Sequence, residues 1–127
     1  MNSDEIAFTE LEKHITRDVN DEHENGSLTV VWRDWDKILP IIPKMVYVSS
    51  INPSEIKGPH IHKKRNSYFT CIHGKVIFII RQNDGTYTEI ESSLETPNLI
   101  QIPKNIASAH INISNNVSRV LAIADLA

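Results

Sequence analysis

Two histidines one residue apart, His60 and His62, are the strongest chemical feature of the chain. An imidazole titrates near neutrality and can act as base, acid, anion partner or metal ligand. Side chains alternate along an extended strand, so both rings are expected on one face. Lys57, Lys63, Lys64 and Arg65 flank the pair. That much positive charge suits an anionic ligand such as a phosphate or pyrophosphate. A polar strand end facing solvent is the plainer reading of the same residues. Farther along, Ser108, His110 and Asn112 also alternate and share a face.

The elements that must position these groups read as β-strands. Leu28–Trp32, Met45–Val48, Tyr68–Ile72, Val76–Ile80, Tyr87–Ile90, Leu99–Ile102 and Val117–Ile123 are short runs rich in β-branched and aromatic residues. Asn25-Gly26, Asn52-Pro53, His73-Gly74 and Asp84-Gly85 supply turn chemistry, and Asn83-Asp84-Gly85 is a hairpin signal. No long amphipathic helix follows residue 26. A small all-β barrel or double-sheet jelly roll is the physical expectation. Residues 1–25 differ: they hold eight Asp or Glu, and Ile6, Phe8, Leu11 and Ile15 fit a short helix or an edge strand in an otherwise solvated arm. The expected organisation is an acidic arm over 1–25 and one domain over 26–127.

The 127 residues suit one domain with a real core, and 40% hydrophobic with 23% charged residues excludes collagen, coiled coil and full disorder. A net charge of −3 gives no general case for nucleic acid or an acidic membrane. No apolar run approaches the ~20 residues that cross a bilayer. The acidic start lacks the apolar stretch of a secretory signal, so a cytoplasmic location is expected and the Asn-x-Ser patterns at Asn25, Asn112 and Asn116 are chance matches. Cys71 is the single cysteine; it lies in an apolar run and reads as packing. Trp32 and Trp35 read as core or interface.

The spacing resembles the first motif of the cupin superfamily: His60, His62, a ligand position at 67 and glycine at 74, with Ser67 in place of the usual glutamate. Pro103–Asn112 resembles the second motif, with Asn105 replacing its glycine and Ser108 its histidine. A serine hydroxyl is a poor ligand for a divalent transition metal, so neither a metal nor another cofactor is expected. The likeness extends further. Gly26-Ser-Leu28, Tyr47, the run Lys57–Lys64, Cys71 and Gly74 are similar to the dTDP-4-keto-6-deoxyglucose 3,4-ketoisomerases. Ile102–Ala107 is nearer to the corresponding stretch of the dTDP-4-dehydrorhamnose 3,5-epimerases. Together these cover about residues 24–125.

The resemblance implies an RmlC-like cupin jelly roll and a metal-independent enzyme acting on a nucleoside-diphosphate 4-keto-6-deoxyhexose. It implies a place in deoxysugar synthesis for a surface polysaccharide such as O-antigen, or for a glycosylated metabolite. His60 maps onto the base that removes the C3 proton, which the neighbouring ketone acidifies. His62 is a second acid/base group or an enolate stabiliser, and Tyr47 the acid across the sugar. Tyr68 is an alternative acid, out of phase with Ser67. Lys57, Lys63, Ser67, Ser108, His110 and Asn112 are the expected substrate contacts. The epimerases continue past the point that Ala127 matches, so chemistry at one carbon is expected. The reading leans to a C3 epimerase on Ile102–Ala107 and on the lost polar groups at 67 and 108. The 3,4-ketoisomerase is its alternative, followed by a non-catalytic carbohydrate-binding cupin and a metal-dependent enzyme. A homodimer is expected because a small barrel leaves edge strands to protect.

Overall fold

The computed structural model describes residues 7–34 and 42–125, so Ile6 and Trp35 lie outside the described residues. Eleven strands occur: β1 (Ala7–Glu10), β2 (Lys13–Arg17), β3 (Glu24–Thr29), β4 (Met45–Ile51), β5 (Ile56–His60), β6 (Ser67–His73), β7 (Lys75–Arg81), β8 (Tyr87–Ser93), β9 (Asn98–Ile102), β10 (Ser108–Asn112) and β11 (Ser118–Ala124). All their pairings are antiparallel. The larger sheet runs β1-β9-β6-β11-β4, the smaller β5-β10-β7-β8, and β2-β3 stands as a separate two-stranded sheet. No helix occurs among the described residues, and none is long and apolar enough to cross a membrane.

Alternation puts one row of each strand between the two main sheets. In β7, Val76, Phe78 and Ile80 point inward, fully buried, and Ile77 and Ile79 lie at the outer face. They meet Phe69 and Cys71 of β6, Ile100 and Ile102 of β9, and Val120 and Ala122 of β11. Burying one such side chain contributes about 2 kcal/mol. Strand β6 is buried on both faces, because Leu11 and Val31 pack over Tyr68, Leu99 and Ile123 on the outer side of the larger sheet.

The turns explain themselves. Gly74 joins β6 to β7 at φ +77, where a Cβ would collide with Ser118. Gly85 takes φ +89 between β7 and β8, and the Asp84 carboxylate accepts from Thr86 N at 2.9 Å. The acidic segment contributes β1, which pairs with β9, and the β2–β3 hairpin. The boundary expected after residue 25 falls inside β3, where Asn25-Gly26 is strand rather than turn. The turn of that hairpin is instead at residues 18–23: the Asp18 carboxylate accepts from Asn20 N at 2.9 Å, and Glu22 takes φ 62.

Candidate functional site

A cavity of about 680 Å³ opens between the two main sheets. One wall comes from the larger sheet: Met45, Tyr47 and Ser49 of β4, with Phe69, Ile102 and Val120 deeper in. The other comes from the smaller sheet: Lys57, Gly58 and His60 of β5, Phe78 of β7, and Ser108 and His110 of β10. His62 and Arg65, from the loop after β5, complete the lining. No carboxylate belongs to it among the described residues.

Strand β5 is built for close approach. Gly58 has φ +108, and a Cβ there would meet Ser108 O at 2.9 Å and Ala109 Cα at 3.0 Å. The chain therefore comes down onto β10, with His60 opposite Ser108 and Lys57 opposite His110. The loop that follows is pinned twice. Asn105 N donates to His62 O at 2.8 Å. Asn66 donates from N and Nδ2 to the Asp125 carboxylate, both at 2.9 Å, and accepts from Lys104 N at 3.0 Å. Asn105 stands where the cupin pattern has glycine and adopts φ 68, a conformation asparagine tolerates better than most side chains.

His60 and His62 do lie together, with ring centroids 6.3 Å apart and planes 19° from parallel. They are not two positions of one strand, since His60 ends β5 and His62 is in the loop. Arg65 Nη2 lies 3.3 Å from His62 Nε2 and 3.3 Å from the Tyr47 hydroxyl oxygen. Burial, then the Arg65 charge and His60, push His62 below the ordinary histidine range. His110 packs against Phe78 at 5.1 Å between ring centroids, and its Nε2 is buried without a partner. Burial, aided by Lys57 and His60, pushes it down to about 4, so it is neutral at pH 7. Lys57 Nζ reaches across the gap between the sheets and donates to Ser49 Oγ at 2.7 Å.

His60, His62, Tyr47, Lys57, Ser108 and His110 thus meet at one cavity, whereas three expected contacts do not. Ser67 is 1% exposed and lies outside the lining, to which its strand β6 contributes Phe69. Asn112, also 1% exposed, is a structural hub: it donates to Ile51 O and Asn116 O and accepts from Ser114 and Ser118. Lys63 is exposed and outside the lining, since the alternation ends with β5. Tyr68 belongs to the outer-face cluster, with its phenol pushed up to about 12 by burial and then by Asp125. Cys71 is fully buried and its thiol is pushed up by burial. Sequence reasoning placed Arg65 only in a basic run; its spacing from His62 carries no signal of the contact with Tyr47.

The residues do not fit a metal. Ser67 is off the wall, and the guanidinium sits against the Nε2 lone pair that His62 would offer. Among the described residues, the ligand atoms of His60, His62 and His110 do not all come within 4.8 Å of one another.

A family model described as "FdtA: WxcM-like, C-terminal" matches residues 5–127. A comparison with curated proteins gives no significant match. Among solved structures, a dTDP sugar isomerase from Desulfovibrio desulfuricans G20 superposes with TM-score 0.83 at 14% identity, covering 95% of this chain and 76% of that one. QdtA, a sugar 3,4-ketoisomerase from Thermoanaerobacterium thermosaccharolyticum in complex with TDP, gives 0.72 at 20%, covering 98% and 82%. ChmJ, a 3'-monoepimerase from Streptomyces bikiniensis in complex with dTDP-quinovose, gives 0.77 at 12%, covering 96% and 64%. The shared fold is the cupin-type jelly roll expected from the sequence.

Proposed function

From a chain that belongs to the FdtA (WxcM-like, C-terminal) family, we infer an isomerase that acts on a nucleoside-diphosphate 4-keto-6-deoxyhexose by metal-independent enolisation. The observation that carries this reading is the pair of near-parallel imidazoles, His60 and His62, on a cavity that also holds Tyr47 and two cations. His60 takes the C3 proton. The electron pair moves to the C4 oxygen, and the enolate receives a hydrogen bond from His62. Lys57 and Arg65 make the cavity positive for a substrate that carries a diphosphate, with Lys63 outside the rim. Ser108 and the neutral His110 hydrogen-bond the sugar.

The finer reading is 3,4-ketoisomerisation. The proton is delivered to C4, the C3 hydroxyl gives up its hydrogen while the C4 oxygen gains one, and the ketone moves to C3. Two imidazoles 6.3 Å apart suit transfer between adjacent carbons on one face of the ring. The supports for the C3-epimerase lean weaken in part, with Ser108 still on the cavity. Ser67 is off the wall, so its loss of a polar group says nothing about the reaction. In the Ile102–Ala107 segment, Pro103 and Ile106 are buried for packing and Asn105 makes the turn. C3 epimerisation is the second reading, favoured by Tyr47 on the wall opposite His60, where an acid would return the proton from the other face.

The test is proton NMR with freshly made dTDP-4-keto-6-deoxyglucose in D₂O. Exchange at C3 with a 3-keto product supports the ketoisomerase, and exchange with an inverted C3 supports the epimerase. His60→Asn is expected to abolish exchange while dTDP still binds. No exchange with dTDP- or CDP-linked substrate, with nucleotide still bound, would turn the reading to a carbohydrate-binding cupin.

A further inference from the structure

We propose that Arg65 is a positioning residue: one guanidinium nitrogen holds His62 as a neutral imidazole protonated at Nδ1 and leaves the Tyr47 hydroxyl hydrogen available to the substrate. This deepens the isomerase reading and rests on it for its catalytic consequence.

A guanidinium has N–H donors and no acceptor, and Nη2 carries two hydrogens. That nitrogen faces two acceptors, His62 Nε2 and the Tyr47 oxygen, each at 3.3 Å. Both contacts therefore run from Arg65 outward. A ring nitrogen accepts only when it carries no proton, so the neutral His62 ring has its hydrogen on Nδ1. An imidazolium has no acceptor, so this contact disfavours the charged ring, in line with the downward push on His62 from burial and the Arg65 charge. Free neutral histidine prefers the opposite tautomer, so Arg65 selects the minor one.

Tyr47 is the other half. Its oxygen is occupied by the Arg65 hydrogen, so its own O–H is free to donate. The guanidinium carbon lies 5.8 Å from the ring centroid, which keeps a cation beside the phenol. Arg65 thus spans from the loop after β5 to β4 and fixes groups on both walls. Its backbone is held by the anchors of the adjacent Asn66 on Asp125 and Lys104. Its Nε is buried without a protein partner. The roles of the two histidines follow. His62, with Nε2 engaged, enters the reaction as a donor, and His60, free of this contact, is the base. The charged and titratable groups around His62 are Arg65 on its own loop, His60 and Lys57 on β5, Tyr47 on β4 and His110 on β10.

Ring-nitrogen NMR of the full chain, without substrate, reads the tautomer directly. In the native protein His62 is expected as the Nδ1–H form, and an Nε2–H signal there overturns the proposal before any variant is made. In Arg65→Met the ring is expected to revert to Nε2–H and to titrate at higher pH, and in Arg65→Lys to recover part of the Nδ1–H form. With substrate, Arg65→Met is expected to lower kcat about a hundredfold by misorientation and to raise KM by loss of one of the two cavity cations, whereas Arg65→Lys keeps KM near the native value with kcat still lowered. An unchanged tautomer, or an unchanged kcat with an altered tautomer, refutes the positioning role. The tautomer arm needs no sugar, so it fails or stands independently of the proposed activity.

Discussion

Replacing Asn112 by alanine separates structure from binding at a position that the sequence puts among the substrate contacts. The side chain makes five hydrogen bonds: Nδ2 to Ile51 O at 2.9 Å and Asn116 O at 2.7 Å, and Oδ1 from Ser114 N, Ser114 Oγ and Ser118 Oγ, each at 2.8 Å. They tie the end of β4, the turn after β10 and the start of β11 together. Their loss is not uniform. Ser118 Oγ keeps the Lys75 backbone, and water can reach Ser114 and Asn116. The Ile51 carbonyl is left buried and unpaired. An orphaned buried group costs about 1–3 kcal/mol and each bond replaced by water about 1 kcal/mol or less, so the sum is about 4 kcal/mol. With a slope of about 1.5 kcal/mol per molar urea, the unfolding midpoint falls by about 2.5 M. Tryptophan fluorescence in a urea titration reads it, at a temperature where the variant is folded in the absence of urea. Asn112→Asp keeps the acceptor but turns oxygen toward two carbonyls. It should be at least as damaging at pH 7 and recover as the pH falls into the carboxyl range. A midpoint shift below about 0.5 M refutes the hub reasoning. So does an Asn112→Ala protein of native stability that has lost affinity for dTDP.

Gly58→Ala must place a Cβ against Ser108 O at 2.9 Å with φ at +108, so it should cost at least about 2 kcal/mol and lower both melting temperature and nucleotide affinity. His110 is held at about 4 in the folded chain against 6.5 for an ordinary histidine, so its contribution to stability is complete above about pH 6.5 and is lost as the pH falls through about 4. His110→Leu should flatten that acid limb in melting temperatures taken from pH 7 to 4, apart from a parallel share from His62. Val46 and Val48 are 57% and 52% exposed on the edge strand β4, so a dimer mass in sedimentation velocity is expected, and V46K with V48K should give the monomer.

The sequence made the frame legible wherever β-branched residues alternate, as in Val76–Ile80 and Leu99–Ile102. It signalled β5 and β10 only through the alternation of their polar groups, since Ile56–His60 and Ser108–Asn112 hold few β-branched residues. Both are held by pairing with a neighbour, which a local pattern does not contain. The site was legible in part for the same reason. His60, His62 and Tyr47 follow from motif and spacing. Which motif positions face the cavity depends on how the sheets overlap: Ser67 falls outside the lining, Asn112 becomes a fastening, and Arg65 reaches from the loop after β5 to Tyr47 of β4.

The β2–β3 hairpin stands apart from the two main sheets. Its two strands contact each other and little else among the described residues. The chain leaves and rejoins the body at adjacent points, where Val30 N donates to Glu12 O at 3.0 Å. The residues that seal the outer face, Leu11 and Val31, lie just outside that junction. Among the described residues, 13–29 form a module held to the body at that junction and by Lys13 Nζ, which donates to Leu94 O at 3.0 Å. A short turn joining Glu12 to Val30, or a foreign peptide grafted at the tip near Val19, leaves the seal, both walls of the cavity and the histidine pair in place. The same exchange at Gly74, where a Cβ would already strike Ser118, would not be tolerated.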